Sequence, residues 1–187
     1  MKLILILTIC LYQNCWASIQ LSKTAGQSSF VAIGNPSAIR IEGHGDAPEG
    51  ELNTVDQGTH LQLSGELKLN LKSYHTGIDM RDRHMKEKYF EVDKFETATF
   101  KIENLKIDKA ILKNEKVTQL PFSGSLLFHG VSRPIQGLLS VQKKEQLIVS
   151  TQFQIKISDF NLAIPSFAGI KVADTVEVQT LNTINSL

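Results

Sequence analysis

Leu61-Gln62-Leu63-Ser64-Gly65-Glu66-Leu67-Lys68-Leu69-Asn70-Leu71-Lys72 sets leucine at nearly every second position and a polar residue between each pair. Successive side chains of a strand point to opposite faces, so this spacing puts one greasy face against a core and one charged face in water. The pattern returns at Leu147, Val149, Thr151, Phe153, Ile155 and Ile157, which alternate with Ile148, Ser150, Gln152, Gln154 and Lys156. Shorter versions occur at Ile39 and Ile41, Phe100 and Ile102, Phe122 to Phe128, and Val176 and Val178. Turn residues separate them at Gly34-Asn35-Pro36, Asn114-Glu115 and Lys143-Lys144-Glu145. Many strands, short connections and one apolar face per strand predict an all-β chain, its antiparallel sheet closed on itself or packed as a sandwich.

Three stretches depart from period two. Residues 79–90 (DMRDRHMKEKYF) lack β-branched side chains and are rich in Met, Lys, Arg and Glu, which predicts a short helix. Residues 43–59 are acidic and carry Gly43, Gly45, Pro48 and Gly50, which reads as a loop. Residues 159–173 contain Pro165 and Gly169 and read as irregular chain with a turn or two of helix.

The N-terminus joins one cation, Lys2, to the apolar run Leu3 to Tyr12 and then to Cys15-Trp16-Ala17. That order predicts a secretory leader over residues 1–17, cleaved after Ala17, with one domain over residues 18–187. The apolar run falls well short of the roughly 20 residues needed to span a bilayer. Cys10 and Cys15 both lie in the leader, so the exported chain would hold neither disulfide nor thiolate. The whole chain has 20 Lys+Arg against 19 Asp+Glu, and losing Lys2 makes the balance even. A neutral chain with 42% hydrophobic residues gives no support to nucleic acid as a partner and fits a packed globular domain.

Catalytic signatures are not conspicuous. Ser123 and Ser125 fall in a period-two strand, not in a Gly-x-Ser-x-Gly elbow. His44, His60, His75, His84 and His129 show none of the tight helical spacings of metal ligands. The basic run Arg81 to Lys88 is mixed with Asp82 and Glu87, as on a solvated helix face, with contact to an anionic membrane surface as the alternative.

Two motifs reach beyond pattern. Thr76-Gly77 followed by Arg81-Asp82 and His84, and then Gly124, Leu126, Gly130, Val131 and Pro134, match in order and spacing the motifs of the YceI-like family of exported bacterial proteins. The chain resembles that family over about residues 61–178, with Ser132 standing for Thr, Ile135 for Val, and Asp159-Phe160-Asn161 for an Asp-Phe-Gly-like step. Residues 43–59 depart from the family's first hairpin. The resemblance implies a lipocalin-like antiparallel β-barrel in the periplasm that holds a long apolar molecule: a polyisoprenoid, a quinone tail or a fatty acyl derivative.

A barrel of about eight strands leaves an interior just wide enough for side chains or one slender ligand. The expected tunnel is therefore the set of inward strand positions Leu67, Leu69, Leu71, Phe100, Ile102, Leu126, Phe128, Val149, Phe153, Ile155, Val176 and Val178. Periodicity alone does not separate a tunnel from a filled core, because both require the same residues. Arg81, Asp82 and His84 are expected either at a ligand head group or as a clamp on the helix. The sequence reading is of a carrier or sequestering protein, not an enzyme, that binds an amphiphilic lipid and takes no cofactor besides that isoprenoid or acyl chain. The alternative is a filled barrel acting through residues 43–59 and 159–173 as a protein-interaction module. Transient contact with a membrane surface and a homodimer stay open.

Overall fold

The alternating segments form the strands of one antiparallel sheet in the computed structural model, which describes residues 16–35, 39–167 and 170–184. The first half contributes β1 (Trp16–Leu21), β2 (Gly26–Asn35), β3 (Arg40–Asp46), β4 (Glu49–Gln57) and β5 (His60–Asn70). The second half contributes β6 (Thr97–Asp108), β7 (Thr118–Phe128), β8 (Val131–Lys143), β9 (Leu147–Lys156), β10 (Ser166–Phe167), β11 (Ile170–Val172) and β12 (Thr175–Ile184). Between β5 and β6 lies α1 (Asp79–His84), continued by a wider π-helical turn over Met85–Tyr89.

The pairing closes a ring. β1 and β2 form one kinked strand, and β3 and β4 form its hairpin partner: Trp16 to Leu21 pair with Val55 to Gly50, and Gln27 to Ile33 pair with Asp46 to Arg40. From β4 the sheet runs through β5, β6, β7, β8, β9 and β12, and β12 returns to β2. Eight strand positions thus make a lipocalin-like meander barrel. Short turns join the neighbours. At the β7–β8 turn, His129 (φ 48°) and Gly130 (φ 75°) both take the left-handed backbone that such a two-residue turn requires.

The helix over 79–90 is present as expected. The loop over 43–59 is not: those residues are most of β3 and all of β4, so the acidic segment is the barrel's first hairpin and not an exposed insert. Residues 159–173 hold the end of a short 3-10 turn, Ile157–Phe160, and the small β10–β11 hairpin, whose β11 strand also pairs with β2. Asn161 closes that turn at φ 59°, the left-handed position that asparagine tolerates best after glycine. Of the expected leader, residues 1–15 lie outside the described residues, while Trp16 and Ala17 pair with Val55 and Thr54. Among the described residues no helix is long and apolar enough to cross a membrane.

The barrel interior has two unlike halves. At the end that carries α1, the rings of Phe30, Tyr74, Phe90, Phe128 and Phe160 pack edge to face or tilted at centroid distances of 5.6 to 6.3 Å. Such contacts add about 0.5–1.5 kcal/mol per pair beyond burial itself. Phe160 is 1% exposed, so this end is filled. The other half is lined mainly by aliphatic side chains.

Candidate functional site

That second half encloses a cavity of about 110 Å³ between the wall residues of β1, β4, β5, β6, β7, β8, β9 and β12. Leu52, Leu61, Leu63, Ile107, Leu139, Val141, Leu147 and Ile184 supply much of its wall. Its floor is three phenylalanines in sequence: Phe100 meets Phe122 at 5.6 Å and Phe122 meets Phe153 at 6.1 Å, both edge to face. Among the described residues lining it, only Ser123, Thr151 and Thr180 have polar side chains, and none is charged.

The wall has a weak seam. β6 and β7 pair only at Thr99 with Leu127, Phe100 with Leu126, and Lys101 with Ser125. Beyond Lys101 the two strands part, and Pro121, which has no N–H for a ladder, falls in the stretch of β7 with no β6 partner. Leu105 and Ile107 on β6, Leu112 in the 3-10 turn Ile111–Lys113, and Ser123 on β7 line the cavity at this seam.

The twelve expected tunnel residues divide between the halves. Leu67, Leu69, Phe100, Ile102, Val149 and Phe153 line the cavity. Leu71, Leu126, Phe128, Ile155, Val176 and Val178 are all buried but do not line it; they belong to the packed core. Sequence reading missed Ile19, Leu21 and Leu52 on the first strands and Pro48 between β3 and β4, because their segments do not show a clean alternation. Leu61, Leu63, Phe122, Leu139, Val141 and Leu147 were also outside the expected set, although Leu61, Leu63, Phe122 and Leu147 sit in segments whose period two was legible.

Arg81 and Asp82 converge on one residue. Asp82 Oδ1 accepts hydrogen bonds from the Thr76 backbone N–H at 2.7 Å and from the Thr76 hydroxyl. Arg81 donates from Nε to Thr76 Oγ1 at 2.7 Å and from Nη2 to Thr76 O at 2.8 Å. Burial pushes the Asp82 carboxyl up, but the two bonds from Thr76 outweigh it and hold the group below the ordinary aspartate range. Consecutive helical residues diverge in direction, yet Thr76 lies in the extended chain just before the helix, where both side chains reach it. His84 is exposed on α1. All three are at the filled end of the barrel, and none lines the cavity.

A second link ties the helical segment down. His129 Nε2 lies 2.8 Å from Glu91 Oε2, its Nδ1 lies 3.2 Å from Phe160 O, and the Phe95 ring packs against it, tilted, at 4.4 Å. Among the described residues no three His, Cys, Asp or Glu side chains gather as a metal cluster.

The comparisons with known proteins agree with the barrel. Residues 22–182 match the model of the YceI-like domain, a span that includes the hairpin at 43–59. The chain is similar in fold to a polyisoprenoid binding domain from Saccharophagus degradans implicated in plant cell wall breakdown, at 20% identity, 93% coverage of this chain, 99% of that one and a TM-score of 0.64. It is likewise similar to BcnA of Burkholderia cenocepacia, at 15% identity, 89% and 99% coverage, and a TM-score of 0.66. Among curated proteins none matches. A barrel with these motifs and a family match over most of its length leads to one assignment: the chain belongs to the YceI-like domain family.

Proposed function

We propose that this protein takes up the hydrocarbon chain of an amphiphilic lipid, isoprenoid or acyl, in the aliphatic half of its barrel and carries or sequesters it without chemistry. The observation that carries the reading is the cavity. One end of the barrel fills itself with five aromatic rings, while the other leaves about 110 Å³ open among leucines, isoleucines and valines. An empty apolar void of that size costs about 2–3 kcal/mol at the usual price of roughly 24 cal/mol per Å³. It also stays dry, since it offers water few partners. A bound chain recovers that cost and adds about 0.8 kcal/mol for each methylene removed from water.

The similarity in fold to a polyisoprenoid binding domain supports an isoprenoid as the first ligand to test. The seam between β6 and β7 is the way in, because parting Leu105, Ile107 and Leu112 from Ser123 breaks no ladder bond. Cleavage after Ala17 and export to the periplasm belong to the same proposal; Ser18 would then begin the first strand.

Leu105→Trp places a ring in the seam at a half-buried position and tests the reading. The variant is expected to melt as cooperatively as the parent but to lose uptake of a fluorescent polyene alcohol and of a polyprenol that competes with it. Undiminished uptake by Leu105→Trp would move the ligand out of this cavity.

A further inference from the structure

Two hydroxyls face each other inside the hydrocarbon wall. Thr151 on β9 and Thr180 on β12 are cross-strand partners, their Oγ1 atoms are 2.7 Å apart, and both line the cavity. Either oxygen can be the donor, so one bond uses one hydroxyl proton of the two. The other proton has no partner among the described residues.

The neighbouring buried polar groups are already engaged. Ser28, opposite Thr180 on β2, donates to Asp46 O at 2.6 Å and accepts from the Tyr74 hydroxyl at 2.7 Å. Asn182 donates to Pro48 O at 3.0 Å. The threonine pair therefore holds a spare donor where the apolar cavity wall backs onto a polar groove lined by Gln27, Ser29, Ser140, Ser150 and Gln152, with Thr180 buried and Thr151 half-buried.

We infer that this pair selects the ligand: it donates a hydrogen bond to a neutral oxygen, alcohol or carbonyl, seated near the Phe122–Phe153 floor. The inference rests on the uptake proposed above and adds what the ligand must carry. Position supports it, since Thr151 stands two residues before Phe153 on the same face of β9, one step above the floor. Charge supports it too. No charged side chain lines the cavity, so an anionic head would lose its hydration there without a counter-charge.

The test compares three probes with one branched C20 skeleton, phytane, phytol and phytyl phosphate, offered from cyclodextrin to the intact protein and to Thr151→Val/Thr180→Val. Valine keeps the shape and the strand preference while removing both hydroxyls. The expected result is that the ratio of bound phytol to bound phytane falls about three- to tenfold in the double variant, the effect of one ordinary hydrogen bond. Phytane uptake should stay equal or rise. Thr151→Ser/Thr180→Ser restores both hydroxyls and should restore the ratio, which covers the case in which the valine variant folds poorly. An unchanged ratio overturns the selection, and so does phytyl phosphate held more tightly than phytol, because its head would then lie outside the cavity. Failure of the parent protein to bind any of the three contradicts uptake itself and is a different result from binding without selection.

Discussion

Phe122 on β7 lies over Gly137 on β8, its register partner: a methyl at position 137 would stand 2.8 Å from the ring edge and 2.8 Å from Phe153 Cβ. Glycine there is a seat for the ring that separates the cavity from the filled core. The same methyl would stand 2.4 Å from the Gln152 carbonyl oxygen, so Gly137→Ala must push β9 away from β8 as well as turn the Phe122 ring. Overpacking of this kind costs about 1–3 kcal/mol. The displaced ring also enters the cavity. Chemical denaturation should show the loss of stability, and equilibrium uptake of phytol should fall in parallel; a neutral substitution in both assays would mean that the floor yields freely.

Asp82→Ala removes the acceptor for the Thr76 hydroxyl and N–H, and leaves Arg81 to hold Thr76 alone. The expected loss is about 1–3 kcal/mol, given the charged acceptor. For a chain of this size that lowers Tm by several degrees. Lipid affinity should not change, because the clamp sits at the filled end. Lost affinity at unchanged stability would instead place Asp82 at the head group.

Much of this architecture was legible in the residues. The leucines at 61 to 69 wrote out β5 and the DMRDRH segment its helix, while the convergence of Arg81 and Asp82 on Thr76 was not legible, because it depends on how the extended chain enters the helix. The first hairpin was hidden by its glycines. Gly43 and Gly45 read as turn residues, yet they sit in β3 beneath the rings of Phe30 and Tyr74, where any Cβ would collide. Side-chain alternation also has no way to mark depth along the barrel. Val149 and Ile155 face the same interior, but one lines the cavity and the other packs against core residues near the aromatic end.

The acid limb of stability should carry a signature of Glu91. Its carboxyl is held below the ordinary glutamate value of 4.5, first by the hydrogen bond from Lys94 at 2.5 Å and then by that from His129. A depressed carboxyl stabilises the fold fully above its unfolded value, and the contribution is lost as pH falls through the lower folded value. The stability difference between the parent and Glu91→Gln should therefore shrink as pH drops below about 4.5. Urea midpoints across the acid range measure it, and a difference independent of pH would dissociate the carboxylate charge from the latch.

At the alkaline end the relevant group is Tyr74. Burial first of all, with a smaller contribution from the Asp46 charge, pushes its phenol up to about 12 despite the opposing hydrogen bond to Ser28. The unfolded phenol ionises near 10, so the fold loses stability as pH rises from about 10 toward 12. Absorbance titration near 295 nm should show a late phenolate step that Tyr74→Phe abolishes. If the step that Tyr74→Phe removes lies at the ordinary tyrosine value, the ring is wetter than its packing implies.

Native mass spectrometry of the protein purified after export from a bacterial host, before and after solvent extraction, tests the central claim most directly. The account predicts a discrete added mass that leaves with the solvent, returns on incubation with an isoprenoid alcohol, and is absent from Leu105→Trp. A bare polypeptide mass in every sample, with no uptake from an isoprenoid and fatty-acid panel, would contradict it.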